Sequence, residues 1–149
     1  MGKFRVKNLK KLGSSIGSLS YEPLIPTSIF HDRELSFAET IIEYLHEQQK
    51  LKFSEIAALL NRDERNIWTL YRRANEKRSG EELKKVFASN NIFIPVSVFQ
   101  DRSLSILEVV VEHLKAQNLP NAEIARLLLR SEKTIWQVAS RVKEKRRGK

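Results

Sequence analysis

The stretch Glu123-Ile-Ala-Arg-Leu-Leu-Leu-Arg-Ser-Glu-Lys-Thr-Ile-Trp136 decides the fold, because the chain carries it twice. The other copy reads Glu55-Ile-Ala-Ala-Leu-Leu-Asn-Arg-Asp-Glu-Arg-Asn-Ile-Trp68. In that copy Ile56, Leu59 and Leu60 lie at helical spacing, and after Asn61 to Asp63 the apolar positions resume as Ile67, Leu70, Tyr71 and Ala74. The later copy repeats the pattern with Ile124, Leu127 and Leu128, then Ile135, Val138, Ala139 and Val142. Each copy therefore predicts two short helices joined by a tight turn. Asp63 and Ser131 fall where the second helix begins, and each offers a side-chain oxygen to the unpaired amides of the first turn. A helix that follows such a turn is suited to enter a DNA groove.

Working outward, the likeness extends over most of the chain. Aligning 25 to 50 with 94 to 119, and 55 to 78 with 123 to 146 after one residue is dropped from the intervening turn, leaves 25 of 50 pairs identical. That level of identity marks an internal duplication. Both units open on Ile-Pro-x-Ser-x-Phe-x-Asp-Arg-x-Leu-Ser, an extended or turning lead-in set by proline and short polar residues. Ser36 with Glu39, and Ser105 with Glu108, have capping-box spacing ahead of an apolar helical stretch. The first helix is expected from about 37 to 48, carrying Ala38, Ile41, Ile42 and Leu45; its counterpart carries Leu107, Val110, Val111 and Leu114. Valines 109 to 111 favour a strand, but the cap and the matching Thr40-Ile41-Ile42 favour a helix.

The expected fold is all-α: two tandem three-helix helix-turn-helix bundles. Residues 1–24 form a basic arm, with Lys3, Arg5, Lys7, Lys10 and Lys11, that orders on a partner or stays a plain disordered terminus. Within it Phe4, Val6, Leu9 and Leu12 permit a short amphipathic helix. Repeat 1 occupies 25–78, and repeat 2 with its basic tail occupies 94–149. The linker, 79–93, is expected to contain a short helix from Glu81 to Phe87.

The chain has 149 residues, with 27 Lys and Arg against 18 Asp and Glu, for a net charge of +9. Such an excess favours a polyanionic partner over a merely solubilising surface. No cysteine is present, so a disulfide framework and a thiolate zinc site are both excluded. His31, His46 and His113 stand isolated, with His46 and His113 expected on the surface near a helix end, and neither a glycine-rich phosphate loop nor a nucleophile motif occurs. No enzyme activity, metal, cofactor or small-molecule ligand is expected. With no membrane-length apolar run and no secretory leader, the expected setting is the cytoplasm, on the nucleoid.

Leu104-Ser-x-x-Glu108, Glu123-Ile-Ala and Ser131-Glu-Lys-Thr-Ile135 together resemble the helix-turn-helix of LuxR-type response-regulator effector domains. They are equally similar to the fourth conserved region of bacterial sigma factors, where a Ser-x-x-x-Val-x-Gln-Ile run matches Ser131 to Val138. The first copy places Asp63 and Asn66 where the second has Ser131 and Thr134, which fill the same polar roles. The resemblance implies that residues just after the cap, and one turn later on that face, meet base edges. These are Glu64, Arg65, Asn66 and Thr69, with Glu132, Lys133, Thr134 and Gln137. Their types suit the work, since Arg and Lys pair with guanine, Asn and Gln with adenine, and Glu accepts from cytosine. Arg62, Arg72, Arg73, Lys77, Arg130, Arg141 and Lys145 are expected to contact the DNA backbone. The alternative for all of them is a solvated charged helix face.

Trp68 and Trp136 are expected to pack against the first helix rather than rest on a sugar-phosphate surface. Asp32-Arg33 and Asp101-Arg102 are read as intramolecular ion pairs. The two units are expected to act as linked modules, coupled through the high local concentration the tether imposes. The reading is non-catalytic binding of double-stranded DNA by a small transcription regulator or architectural chromosomal protein. Structured RNA, a ribosome, or docking on RNA polymerase are the alternatives.

Overall fold

The structure, a computed structural model, describes residues 22–78 and 91–148. Most of the basic arm and the expected linker helix lie outside the described residues. Within them the chain is mostly helical, in two halves of the same order. The first half has strand β1 (Leu24–Pro26), a 3-10 turn (Thr27–His31), helix α1 (Phe37–Glu43), helix α2 (Phe53–Leu60) and helix α3 (Glu64–Arg78). The second has β2 (Phe93–Pro95), a 3-10 turn (Val96–Gln100), α4 (Ile106–Ala116), α5 (Asn121–Leu128) and α6 (Glu132–Arg147).

The caps act locally as their sequence spacing predicts. Ser36 Oγ accepts from the Glu39 amide at 3.2 Å while Glu39 Oε1 accepts from the Ser36 amide at 2.9 Å, and Ser105 and Glu108 repeat both bonds. Two amides that a helix start would leave unpaired are thus satisfied at each site. Val109, Val110 and Val111 lie in α4 and are buried, so tertiary packing outweighs their β propensity.

The extra residue of the first half sits inside a helix, not in the turn after it. From Tyr44 to Gln48, α1 continues as a π-helical turn, where the Gln49 amide donates to Tyr44 O at 3.2 Å. The Leu51 amide reaches Leu45 O at 3.1 Å, as Leu119 reaches Leu114 O at 3.4 Å with one residue fewer between them. Lys50 and Asn118 then take the same left-handed turn, with φ of 60° and 66°. Widening one helical turn keeps Leu45 and Leu51 in the core, which a slipped register would lose.

The two strands, absent from the all-α expectation, join the halves. They pair antiparallel with Ile25 opposite Ile94, Leu24 opposite Pro95 and Pro26 opposite Phe93. The pairing is reciprocal at its ends too: Thr27 N donates to Ile92 O at 3.0 Å and Val96 N to Pro23 O at 3.1 Å. Glu22 accepts from Ser97, and Asn91 Oδ1 accepts from the Ser28 amide at 2.8 Å. The ends of the expected arm and linker therefore belong to this joint. Because Ile25 faces its own counterpart, the halves are related by a pseudo-twofold axis through that pair; a head-to-tail stack would never set a residue opposite its equivalent.

One hydrophobic cluster runs through both halves, from Ile25, Phe30, Ile41 and Ile67 to Ile94, Phe99, Val110 and Ile135. Across the axis α1 meets α4, α2 packs on the 3-10 turn of the second half, and α5 packs on that of the first. Beyond the tether, the mutual placement of the halves is set by this shared hydrophobic cluster.

Candidate nucleic-acid interface

Each second helix is aimed by the turn before it. Asn61 and Leu129 end α2 and α5 in the left-handed region, with φ of 56° and 52°. The next amides, of Arg62 and Arg130, then close back on Ala57 O at 2.9 Å and Ala125 O at 3.0 Å. Asp63 Oδ1 accepts from the Arg65 amide at 3.1 Å, and Ser131 Oγ from the Thr134 amide at 3.1 Å. Ile67 and Ile135, fully buried, fix the rotation of α3 and α6 about their axes.

That rotation leaves Glu64, Arg65 and Asn66 exposed in α3, and Glu132, Lys133 and Gln137 exposed in α6. Thr69 and Thr134 are half-buried: Thr69 Oγ1 donates to Arg65 O at 3.0 Å, and the Thr134 hydroxyl shares a 2.9 Å bond with that of Ser131. The two threonines are therefore less free than the other six side chains.

The two tryptophans are displaced from where hydrophobicity predicts them. Trp68 is 46% exposed and Trp136 63% exposed, so neither is packed into the core. Ile67, Leu70, Tyr71 and Ala74 already fill the buried stripe of α3, and the residue after Ile67 is turned about 100° away from it. Trp68 instead joins Arg65, Thr69 and Arg72 at i, i+3, i+4 and i+7 on the outward face, with the Arg72 guanidinium 5.1 Å from the indole ring. In α6 the matching stripe is Lys133, Trp136 and Gln137.

The basic residues divide into two groups. Arg72 and Arg73 are exposed, but several others are already engaged. Lys77 bonds to buried Glu39 at 2.7 Å, and its counterpart Lys145 bonds to buried Glu108 at 2.7 Å, joined there by Arg141 at 3.3 Å. Burial alone would push these two carboxyls up; the lysine at each, the cap amide and, at Glu108, Arg141 outweigh it and hold both below the usual carboxylate range. Arg78 bridges Asp32 and Glu43, and Arg146 bridges Asp101 and Glu112. Asp32 and Asp101 thus pair with the last turns of α3 and α6, not with the adjacent Arg33 and Arg102. The lead-in must be tied to the end of its own bundle, a long-range demand that a dipeptide cannot meet.

Arg62 and Arg130 occupy the seam between the halves. Arg130 Nη1 donates to Leu128 O at 3.0 Å and Phe30 O at 3.4 Å, and its guanidinium lies 4.9 Å from the Phe37 ring. Burial lowers its pKa and the nearby Arg33 adds to the effect; burial and Arg102 do the same to Arg62. Each doublet therefore draws one arginine from each half and stands directly before α3 or α6. Arg33 and Arg102 carried no signal of this in the sequence, because their partners come from the other half.

His46 is not a simple surface residue. Its ring stacks on Phe53 at 4.5 Å and meets Tyr71 edge-on at 4.6 Å, which closes the π-turn against α3. Among the described residues no group of three or more His, Asp or Glu is placed to hold a metal, and no helix is long and apolar enough to cross a membrane. Comparison with protein-family models, with curated proteins and with solved structures gives no match.

Proposed function

We propose that the protein binds double-stranded DNA without chemistry, through α3 and α6 acting as the second helices of a duplicated helix-turn-helix, as a small transcription regulator or architectural, nucleoid-associated protein. The observation that carries this reading is the outward stripe of each helix, Arg65, Trp68 and Arg72 with half-buried Thr69 in one and Lys133, Trp136 and Gln137 in the other, presented beside the capped start. Guanine- and adenine-pairing groups alternate there with an aromatic surface able to lie on sugar or thymine methyl. Lys77 and Arg78 at the end of α3, and Lys145 and Arg146 near the end of α6, are held by carboxylates, whereas Arg65, Arg72 and Lys133 on the stripes stand exposed.

The test is a titration against duplex DNA, duplex RNA and single strands at several salt concentrations, read by tryptophan fluorescence. Duplex DNA binding that weakens steeply with salt supports the reading. Lys133→Ala and Gln137→Ala are then expected to relax base preference by about 1–3 kcal/mol, while Arg73→Ala weakens all sequences alike. Preference for RNA, whose major groove is too narrow for a helix, or no nucleic-acid binding, would replace it with RNA recognition or polymerase docking.

A further inference from the structure

Given duplex DNA binding, we propose that the target is an inverted repeat with two unlike half-sites at one fixed spacing, read by a single chain. The inference rests on the functional reading above and on the pairing of Ile25 with Ile94, which relates α3 to α6 by a twofold axis. Duplex DNA has its own local twofold axes perpendicular to the helix. Two recognition elements related by a twofold therefore engage it alike only when those axes coincide, and the half-sites then run in opposite directions. Free tethering would allow any order and spacing. Here the common core and the reciprocal packing of α2 and α5 on the opposite 3-10 turns remove that freedom.

The half-sites differ because the reading residues differ. Glu64 and Glu132 are the same, but Arg65 faces Lys133, Asn66 faces Thr134, and Thr69 faces Gln137 in the repeat alignment. A bidentate arginine or asparagine in one half is replaced by a point charge or a hydroxyl in the other. A homodimer reads a palindrome and has no direction; this chain would bind in one orientation only, so its two faces would present different surfaces upstream and downstream. Arg62 and Arg130, which stand at equivalent places just before α3 and α6, follow the same axis.

The experiment is selection of bound sequences from a random duplex pool by the full chain, repeated with the triple variant Arg65→Lys, Asn66→Thr, Thr69→Gln. The wild type is expected to enrich two different motifs, inverted, at one spacing. The triple variant is expected to enrich a perfect inverted repeat of the α6 motif at unchanged spacing, and to prefer it over the wild-type site by about 10-fold or more. The reciprocal variant, Lys133→Arg, Thr134→Asn, Gln137→Thr, should give the palindrome of the α3 motif, and it keeps the test decisive where the first fails to fold by circular dichroism. Directly repeated motifs, variable spacing or binding with no motif would overturn the inference while leaving duplex binding intact. Absence of duplex DNA binding would instead remove the functional reading itself.

Discussion

Ile25 lies opposite Ile94 across the two-stranded joint, and both are fully buried. Each is the other's equivalent, so one contact does the same work for both halves. Ile94→Ala is expected to cost about 2–5 kcal/mol, as for other buried isoleucines, and to lower the stability of both halves together. Urea unfolding of the Trp68→Phe and Trp136→Phe variants reports one half each. Coincident midpoints in both, shifted equally by Ile94→Ala, are expected; separate transitions would show that the halves do not share a core.

The two equivalent arginines should behave unequally. Arg78 and Glu43 have side chains only 11% and 5% exposed, whereas Arg146 and Glu112 are 37% and 36% exposed. Arg78→Met strands a buried carboxylate and is expected to cost about 3 kcal/mol or more. Arg146→Met breaks a solvated pair and should cost about 1 kcal/mol or less. Equal losses in chemical denaturation would contradict the difference in burial.

Leu129 holds the left-handed conformation with a φ of 52°, a region that costs a leucine about 1 kcal/mol or more. Asn61 holds the matching place, tolerates it better, and donates from Nδ2 to Gln100 O at 3.0 Å across the seam. Leu129→Asn is therefore expected to raise stability by about 0.5–1.5 kcal/mol, from relieved backbone strain and a new bond toward His31 O. A drop in Tm would mean that the half-exposed leucine contributes more by packing than it loses in strain.

Deleting Gln48 removes the extra residue of the π-turn and gives the first half the spacing of the second. Gln48 is exposed, so the change should keep a folded helical protein, with stability altered by no more than about 1–2 kcal/mol through the nearby His46, Phe53 and Tyr71 cluster. Circular dichroism and thermal melting decide it. Complete unfolding would show that the wider turn is required by the core rather than tolerated by it.

Glu39 and Glu108 are held below their ordinary carboxylate pKa, against burial, chiefly by Lys77 and Lys145. A carboxylate depressed in the folded state stabilises it at pH values above the unfolded pKa of about 4.3 and stops doing so as pH falls through the folded value. Tm is expected to fall below about pH 4.3. A Glu39→Gln, Glu108→Gln protein should have a lower Tm at neutral pH and a shallower acid slope. An unchanged slope would assign acid sensitivity to other carboxylates.

The helices, their starts and the buried stripes were legible because each depends on neighbours within about four residues: Ser36 caps Glu39, and Ile67, Leu70, Tyr71 and Ala74 repeat at helical spacing. The outward placement of Glu64, Arg65, Asn66, Glu132, Lys133 and Gln137 agrees with the same periodicity once Ile67 and Ile135 point inward. Trp68 and Trp136 stay outside the core despite their hydrophobicity, because position on the helix prevails: the residue after a buried isoleucine already lies off the core face. The π-turn was hidden for a related reason: one added residue can be absorbed in a loop or a helix, and only the requirement to keep both Leu45 and Leu51 buried selects the helix.

By itself, the sequence determined the predominantly helical halves, their likeness to each other and the cationic excess, all of which are local or additive properties. Tertiary structure decided how the halves face each other and which charges remain free. Those depend on a three-residue strand meeting its own copy about seventy residues away, and on Asp32 choosing Arg78 over the adjacent Arg33. Such choices are made by the common core, which brings distant groups to bonding distance, and no local spacing encodes them.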